Sequence, residues 1–255
     1  KLHVERLLIL LMALLLSVQL GFGKKKETIK YKTGEKKESG YMDNGKRVGN
    51  WEFWYRTGTL QSSGSFKEGK PDGEWSYYYT NGKLLSKRFF KAGIRVGTWK
   101  DYYRNGKLEV VFSHKDNEIN GKMTYYYPNG KIKNSGDMRR GKKNGTWTFY
   151  NKEGMKISEG PFIADLPVGL WRAYDGKSKL ISKMQFKQGK PNGEAFHFYP
   201  SGEKKSAGTY FNGKKHGHWI HYYKNKKIKL REVYLLDKKH GHFISYRESG
   251  TKLME

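Results

Sequence analysis

A glycine recurs every 24 residues along most of this 255-residue chain, and no other feature restricts its fold as strongly. The spacing holds without insertion over nine copies, at Gly49, Gly73, Gly97, Gly121, Gly145, Gly169, Gly193, Gly217 and Gly241. Self-similarity at a fixed short period is typical of repeat proteins, in which each unit stacks on its neighbours. The period therefore predicts nine tandem units over residues 49–255, the last one incomplete.

Aromatic residues keep fixed places within each unit. Two residues after the glycine stands a tryptophan in six of the nine copies. Five residues after it stands an aromatic residue in every copy, the aromatic ladder: Trp54, Tyr78, Tyr102, Tyr126, Tyr150, Tyr174, Phe198, Tyr222 and Tyr246. Such a ladder could be a stacking platform for sugars or bases, or a cross-strand packing element. Its recurrence in all copies favours packing.

The second copy predicts a β-hairpin. Its aromatic and polar residues alternate from Trp75 to Tyr79 as they do in a strand, and Asn81-Gly82 follows as a type I′ turn signal. A two-residue turn there sets three cross-strand pairs: Tyr79 with Leu84, Tyr77 with Ser86, and Trp75 with Arg88. A glycine-rich connection, such as that at Gly69 or Gly93, then leads to the next hairpin.

The same register sets Trp51 opposite Gly64, and Gly160 and Gly208 hold that partner position in other copies. A large ring opposite a glycine can cover the bare backbone. The fold class predicted is all-β, an elongated meander of tandem antiparallel β-hairpins with some 18 to 20 strands, because an isolated hairpin is not stable in water.

The first 48 residues differ from the repeats. Residues 1–23 have a basic start and an apolar run from Leu7 to Leu16, which predicts a signal peptide or a membrane anchor helix. The chain is then expected to be exported, periplasmic or extracellular, or to stay anchored to the membrane. The lysines at 24–26 oppose this, since positive charge disfavours translocation. Residues 24–48 keep Tyr31 and Gly34 in phase but have Glu27 at the tryptophan position, which predicts a degenerate capping repeat.

The composition limits the chemistry available. The formal net charge is +27 at pH 7, which favours either anionic partners or simple solubility. The absence of cysteine excludes disulfides, thiol catalysis and thiolate metal sites. No catalytic motif or cofactor-binding motif stands in the chain, and we expect no enzyme activity and no cofactor.

Histidines cluster near the end of the chain, at His216, His218, His221, His240 and His242. Equivalent positions in adjacent hairpins lie about 9.6 Å apart at the backbone, so one metal ion could be shared only if long side chains converged. Other polar residues hold the same phases elsewhere, and we expect no metal site. A partial change of charge near pH 6 is favoured over metal binding.

The pattern G-x-W-x-x-Y-Y-x-N-G-K-L, best seen at 73–84, resembles the MORN repeat. It is most similar to the variant in bacterial proteins labelled YwqK-family antitoxins, and the resemblance covers about residues 25–255. The resemblance implies a binding sheet, and it suggests the antitoxin component of a toxin–antitoxin system. MORN repeats in different settings serve as membrane-binding, scaffolding or protein-binding modules.

Two functions remain open on this basis. The first is a non-catalytic protein-binding or scaffold module, with a toxin as one case of a partner. The alternative is an exported basic protein that binds anionic membrane or cell-envelope surfaces. In that case the anion-contacting residues are the lysines after the Asn-Gly turns, Lys83, Lys107 and Lys131, which line up along one edge of the sheet. Specific nucleic-acid binding is not expected.

Overall fold

The computed structural model describes residues 23–255, which form β-strands and turns and contain no helix. They divide into two compact units, which meet in sequence at Gly106 and Lys107. The first unit contains β1 (Lys25–Lys30), β2 (Lys36–Asp43), β3 (Lys46–Trp54), β4 (Leu60–Lys67), β5 (Lys70–Tyr78), β6 (Leu84–Lys91) and β7 (Ile94–Tyr102). In each unit consecutive strands pair antiparallel, so the predicted all-β meander is confirmed.

The second unit has the same order of long strands, three of which are broken in two. Its strands are β8 (Leu108–Lys115), β9 (Glu118–Ile119), β10 (Gly121–Tyr126), β11 (Ile132–Arg139), β12 (Lys142–Tyr150), β13 (Lys156–Ile163), β14 (Leu166–Pro167), β15 (Gly169–Tyr174), β16 (Leu180–Lys187), β17 (Lys190–Phe198), β18 (Lys204–Phe211), β19 (Lys214–Tyr222), β20 (Ile228–Leu235), β21 (Lys238–Lys239), β22 (Ile244–Tyr246) and β23 (Lys252–Met254). The breaks raise the count above the 18 to 20 strands expected.

The hairpin at Asn81-Gly82 has a three-residue loop, so the predicted type I′ turn is wrong at this place. Gly82 N donates to Tyr79 O at 2.9 Å, and Tyr79 N donates to Lys83 O at 2.8 Å. Only Gly82 of the loop has a left-handed backbone, with φ of +79°. This is a type I turn followed by a glycine bulge. Leu84 consequently pairs with Tyr78 and not with Tyr79, while the pairs Tyr77–Ser86 and Trp75–Arg88 are as predicted.

Type I′ turns occur at the other end of the strands, where the sequence indicated only a glycine-rich connection. Between β4 and β5, Glu68 and Gly69 have φ of +50° and +77°, and the flanking Lys67 and Lys70 pair directly. The described chain has nine turns of this type. Each repeat therefore consists of two strands and two different turns, with the three-residue loops along one edge and the I′ turns along the other.

Two of the three-residue loops have strained residues in the glycine position. Ser178 and Lys226 adopt φ of +62° and +68°, where a side chain costs about 1–2 kcal/mol. We expect Ser178→Gly and Lys226→Gly each to raise the free energy of unfolding by about 0.5–1 kcal/mol, measured by urea denaturation. Lys224→Gly, in the same loop but without a positive φ, is the control and should lower it. Equal effects of the two glycines at 224 and 226 would contradict this explanation.

A bulge at the repeat glycine bends every second long strand. Ser63 pairs with Ser76 and Ser65 with Asp72, so Gly64 of β4 lies opposite three residues of β5. Gly73, with φ of +88°, supplies the left-handed conformation that this bulge needs. The bend turns the following tryptophan, Trp75, back onto β4.

The tryptophan covers the glycine of the strand before its own. A Cβ atom on Gly64 would lie 2.2 Å from the Trp75 ring, and one on Gly40 would lie 2.3 Å from the Trp51 ring. Trp51 does pair with Gly64 as predicted, but the ring that covers Gly64 belongs to the next hairpin. Gly208 likewise pairs with Ala195 and is covered by Trp219.

The residue at the tryptophan position and the residue eleven positions earlier are complementary in size, because the two lie against each other. A glycine stands eleven residues before five of the tryptophans: Trp51, Trp75, Trp147, Trp171 and Trp219. Where the tryptophan is replaced by Ala195, the partner is the larger Met184. Three copies depart from this pattern. Trp99 has Arg88, whose guanidinium carbon lies 5.0 Å from the ring centroid, Met123 has Phe112, and Phe243 has Glu232.

The core is the face of the sheet that contains these tryptophans, which we call the Trp face. Side chains alternate across a strand, so Phe53 and Tyr77 share this face with Trp51 and Trp75. The Trp75 ring lies edge-on to Phe66 at 5.0 Å between centroids. Long cationic side chains cover the outer side of these rings, and the Arg47 guanidinium carbon lies 4.4 Å from the Trp51 centroid. Trp51 is consequently only 1% exposed although the sheet is a single layer.

Tyrosine hydroxyl groups join several of the repeats to the next at the looped edge. The Tyr55 hydroxyl donates to Tyr78 O at 2.8 Å. The equivalent bond, to the carbonyl 23 residues later in the sequence, is made by Tyr31, Tyr79, Tyr127, Tyr199 and Tyr223. The indole Nε1 of each tryptophan on the Trp face donates to the residue ten positions earlier, as Trp75 does to Ser65 O at 3.1 Å. Both bonds give a backbone carbonyl a side-chain donor.

The predicted signal peptide or anchor, residues 1–23, lies almost wholly outside the described residues. Residues 24–48 contain β1 and β2, which pair antiparallel and close through a loop where Gly34 N donates to Tyr31 O. Within residues 23–255 there is no helix long and apolar enough to cross a membrane.

Candidate functional site

The aromatic ladder lies on the face opposite the tryptophans, which we call the ladder face. Trp54 and Tyr78 end their strands there, one residue beyond Phe53 and Tyr77 of the Trp face. All nine ladder residues are half-buried. Charged side chains lie beside the rings: Lys36 Nζ is 4.3 Å from the Trp54 centroid, and the Tyr174 hydroxyl donates to Glu159 at 2.6 Å. The ladder therefore presents half-buried rings on this face, and charged side chains already contact some of them.

A row of small polar residues crosses the ladder face of the first unit. Direct cross-strand pairs link Ser39 to Glu52, Glu52 to Ser63, and Ser63 to Ser76. The small side chains leave a trough of about 450 Å³, which is also lined by Lys26, Lys36, Asn50, Ser65 and Glu74. Sequence reasoning missed this row. The signal was present as serine at one repeat phase, in Ser39, Ser63 and Ser135.

The charges around the trough balance. Lys26 and Lys36 face Glu52 and Glu74, and Glu74 also holds Lys87 Nζ at 2.6 Å. The hydrogen bond that Lys87 donates to the Glu74 carboxylate raises the pKa of Lys87, so the ammonium form persists to higher pH. The trough thus offers hydroxyl, amide and paired ionic groups without an excess of one sign, which fits a polar partner better than a strongly anionic one.

The lysines expected to contact anions lie along the looped edge. Lys107 Nζ donates to Asn129 O at 3.3 Å, and Lys131 Nζ donates to Glu153 O at 2.7 Å. Each joins its own loop to the loop of the next repeat, as Lys227 also does with Ser249 O at 2.5 Å. Lys83 lies in the equivalent place in the first unit, where its backbone N donates to the Asn81 side chain.

The five histidines do not form one site. Among residues 23–255, no three His, Asp or Glu side chains are placed to hold a metal ion. His221 lies 3.2 Å from Glu232, a buried carboxylate that also accepts from Lys239 at 2.8 Å. Burial raises the pKa of Glu232, but Lys239, Tyr234 and His221 together hold it below its usual value. Glu232 is therefore ionised and paired within the fold.

Stability should fall below neutral pH because of two half-buried histidines. Burial lowers the pKa of His197, and Lys215 and Lys205 lower it further; burial also lowers the pKa of His221. A histidine that is harder to protonate when folded stabilises the fold above its unfolded pKa, near 6.5, and that contribution is lost as the pH falls.

We expect His197→Phe to reduce the loss of stability between pH 7 and pH 5, because it removes one of the two titrating imidazoles. Phenylalanine should fit there, because Phe53 and Phe149 hold the equivalent position in other repeats. Urea unfolding at several pH values measures it. The exposed His218, changed to Asn, is the control and should leave the slope as it is. An unchanged slope in His197→Phe would assign the pH dependence to other groups.

Comparison with known proteins gives one family. The model of the MORN repeat variant matches residues 47–68, 71–92, 95–116, 119–137, 191–212 and 215–235, together half of the chain. No curated protein matches the chain significantly.

Solved structures give only distant similarity. A crystal structure of TcdB2-TccC3-Cdc42 is 11% identical with a TM-score of 0.21, over 89% of this chain and 13% of that one. A crystal structure of TcdB2-TccC3 is 12% identical with a TM-score of 0.21, over 87% of this chain and 14% of that one. The chain thus spans a small part of these proteins, and scores this low carry no inference about function.

Proposed function

The chain belongs to the MORN repeat variant family, and on that premise we propose that it is a non-catalytic protein-binding or scaffold module that binds through its ladder face. The observation that carries this proposal is the serine row of the first unit, Ser39, Ser63 and Ser76, next to the half-buried rings of Trp54 and Tyr78. Tyrosine and tryptophan give rigid contact area, and serine gives adaptable hydrogen bonds, a combination found in protein-binding loops of antibodies.

The hydrogen-bonding groups of the trough support a protein partner. The side chains of Ser63, Ser76 and Glu52 have no hydrogen-bond partner among residues 23–255, so they can bond to a ligand without breaking an internal contact. The strands beneath them are fixed by the glycine–tryptophan contacts of the Trp face. A surface that is rigid before binding loses little conformational entropy on association.

A toxin is one partner of this class, as the resemblance to bacterial antitoxins suggests. The alternative is an anionic membrane or cell-envelope surface, which the net charge of +27 favours. The two differ in their response to salt, because binding driven by charge weakens steeply with ionic strength.

The test places an arginine in the trough. Ser63→Arg and Ser76→Arg fill the trough without touching the Trp face, and Thr80→Arg, in an exposed loop of the same unit, adds the same charge elsewhere. A partner captured from an extract of the source cells is purified and its affinity measured by calorimetry. We expect the trough variants to lose at least about tenfold and Thr80→Arg to lose less than twofold.

Two results would contradict the proposal. In one, the three variants bind the purified partner equally well. In the other, no protein binds directly and anionic vesicles bind with a steep salt dependence, which would favour the alternative.

A further inference from the structure

The I′-turn edge of the second unit exposes apolar side chains that nothing else in residues 23–255 covers. Ile163 is 60% exposed, Leu166 is 48% exposed and Phe211 is 52% exposed. Ile163 and Leu166 are a direct cross-strand pair beside one I′ turn, and Phe211 pairs with Lys214 two turns further along. With Lys187 and Lys190 of the turn between them, these six residues form what we call the turn-edge patch.

The centre of the patch is a pair of like charges. Lys187 and Lys190 lie directly opposite each other across the I′ turn at Gln188-Gly189. Like charges so placed destabilise a sheet. Their ammonium groups have no carboxylate or carbonyl partner among residues 23–255, unlike Lys131 and Lys227 on the other edge. An anion bound between them would relieve the repulsion.

The lysine pair and the phenylalanine share one concavity. It measures about 480 Å³ and is lined by Lys187, Gln188, Lys190, Asn192, Phe211 and Asn212. Asn212 N donates to Asn192 Oδ1 at 3.0 Å and fixes the two successive turns together. On the other side, Leu166 Cδ2 lies 3.4 Å from the Cβ position of Gly189, so its side chain is held against the next turn. The patch is therefore a shaped surface with a cationic centre.

We infer that the turn-edge patch binds an acidic segment of another protein, in which carboxylates are flanked on both sides by apolar side chains. The carboxylates lie between Lys187 and Lys190, and the apolar side chains pack on Ile163 and Leu166 at one end and on Phe211 at the other. Adjacent I′ turns are two strands apart, so each apolar contact lies about 10 Å from the charged centre.

The arrangement fits a protein segment better than a lipid surface. Leu166 lies back along the edge over Gly189 instead of projecting outward, as insertion among acyl chains requires. The equivalent turn of the first unit, with the opposed pair Lys67 and Lys70, has Asp43 and Lys46 at one neighbouring turn and Lys91 and Ile94 at the other. A charged turn is therefore present in both units, but apolar side chains flank it on both sides only in the second.

That difference supplies the test. The full chain is used to select binders from a phage-displayed library of random peptides, and selected peptides are measured by fluorescence anisotropy. Lys187→Glu with Lys190→Glu reverses the centre of the patch, and Lys67→Glu with Lys70→Glu makes the same change of charge in the first unit. Vesicles of phosphatidylcholine with phosphatidylserine are titrated in parallel.

We expect selected peptides to carry Asp or Glu between apolar residues. Their affinity should fall at least about tenfold in the Lys187/Lys190 variant and in Phe211→Ser, and less than about threefold in the Lys67/Lys70 variant. Equal losses in both reversed variants, peptides without apolar residues, or binding of vesicles alone would each overturn the inference.

This inference rests on the proposed protein-binding function but uses another surface. Loss of binding in Ser63→Arg with retention in the Lys187/Lys190 variant would reject it and leave the proposed function intact.

Discussion

Gly136→Ala is expected to lower the free energy of unfolding by about 3 kcal/mol, an unusually large effect for one methyl group. Its Cβ atom would lie 2.4 Å from two ring carbons of Trp147, closer than any side chain can approach. Trp147 cannot move away, because it is fully buried and its Nε1 donates to Asp137 O at 3.0 Å. The strand or the ring must shift, and either change breaks contacts that the next repeat shares.

Urea denaturation of the full chain measures this effect, and the chain offers a matched control. Gly176 has no positive φ and its Cβ position is open, so Gly176→Ala should change the free energy of unfolding little or raise it slightly. A loss at Gly136 no greater than that at Gly176 would mean that the strands separate easily and that the ring does not restrict the backbone.

Trp147→Ala is expected to cost about 4 kcal/mol, because it removes the best-buried ring of the second unit. The ring centroid lies 6.4 Å from Phe149 and from Phe162, and Lys143 Nζ lies 4.8 Å above it. Truncation leaves a cavity over Gly136 and leaves the carbonyl of Asp137 without its indole donor. The loss should appear in the urea midpoint and in the temperature of unfolding.

The sequence itself indicates a second substitution that should compensate for the loss in Trp147→Ala. Met184 and Ala195 hold the equivalent positions two repeats later, where the large side chain is on the first strand and the small one on the second. Gly136→Met in the Trp147→Ala background should therefore regain about 2 kcal/mol, although Gly136→Met alone should be as harmful as Gly136→Ala. Additive losses in the double variant would refute the size complementarity of the two positions.

Much of the fold was predictable because it depends on period and alternation. The repeat glycines and the aromatic alternation gave the hairpins, and the pairs Tyr77–Ser86, Trp75–Arg88 and Trp51–Gly64 were predicted correctly. Cross-strand partners follow from counting residues from the turn. A change of loop by one residue alters only the pair nearest the turn, as it does for Leu84.

The turn types could not be predicted by the Asn-Gly rule. Asn81-Gly82 fits both a two-residue turn and the end of a three-residue loop, and the dipeptide alone does not distinguish them. The actual I′ turns have Glu68, Ala92 or Leu236 at their first central position, residues that rarely adopt a left-handed backbone. They do so here because the neighbouring hairpins fix the ends of both strands.

The candidate site was only partly visible in the sequence. The ladder residues stood out by recurrence, but the face on which they lie followed only from the strand pairing. The serine row and the turn-edge patch each join residues from several hairpins, such as Ser39 with Ser76 or Ile163 with Phe211. Exposure of an apolar side chain like Ile163 depends on where the turn ends, and no local pattern reports it.

The tyrosine bonds between repeats all point the same way along the chain. In each, an earlier repeat gives the hydroxyl and a later one gives the carbonyl, as from Tyr127 to Tyr150 and from Tyr199 to Tyr222. A protein made on the ribosome appears in that order. Where a repeat carries this tyrosine, the next hairpin supplies the missing acceptor as it emerges, so those parts of the array can grow by adding one finished unit at a time during synthesis.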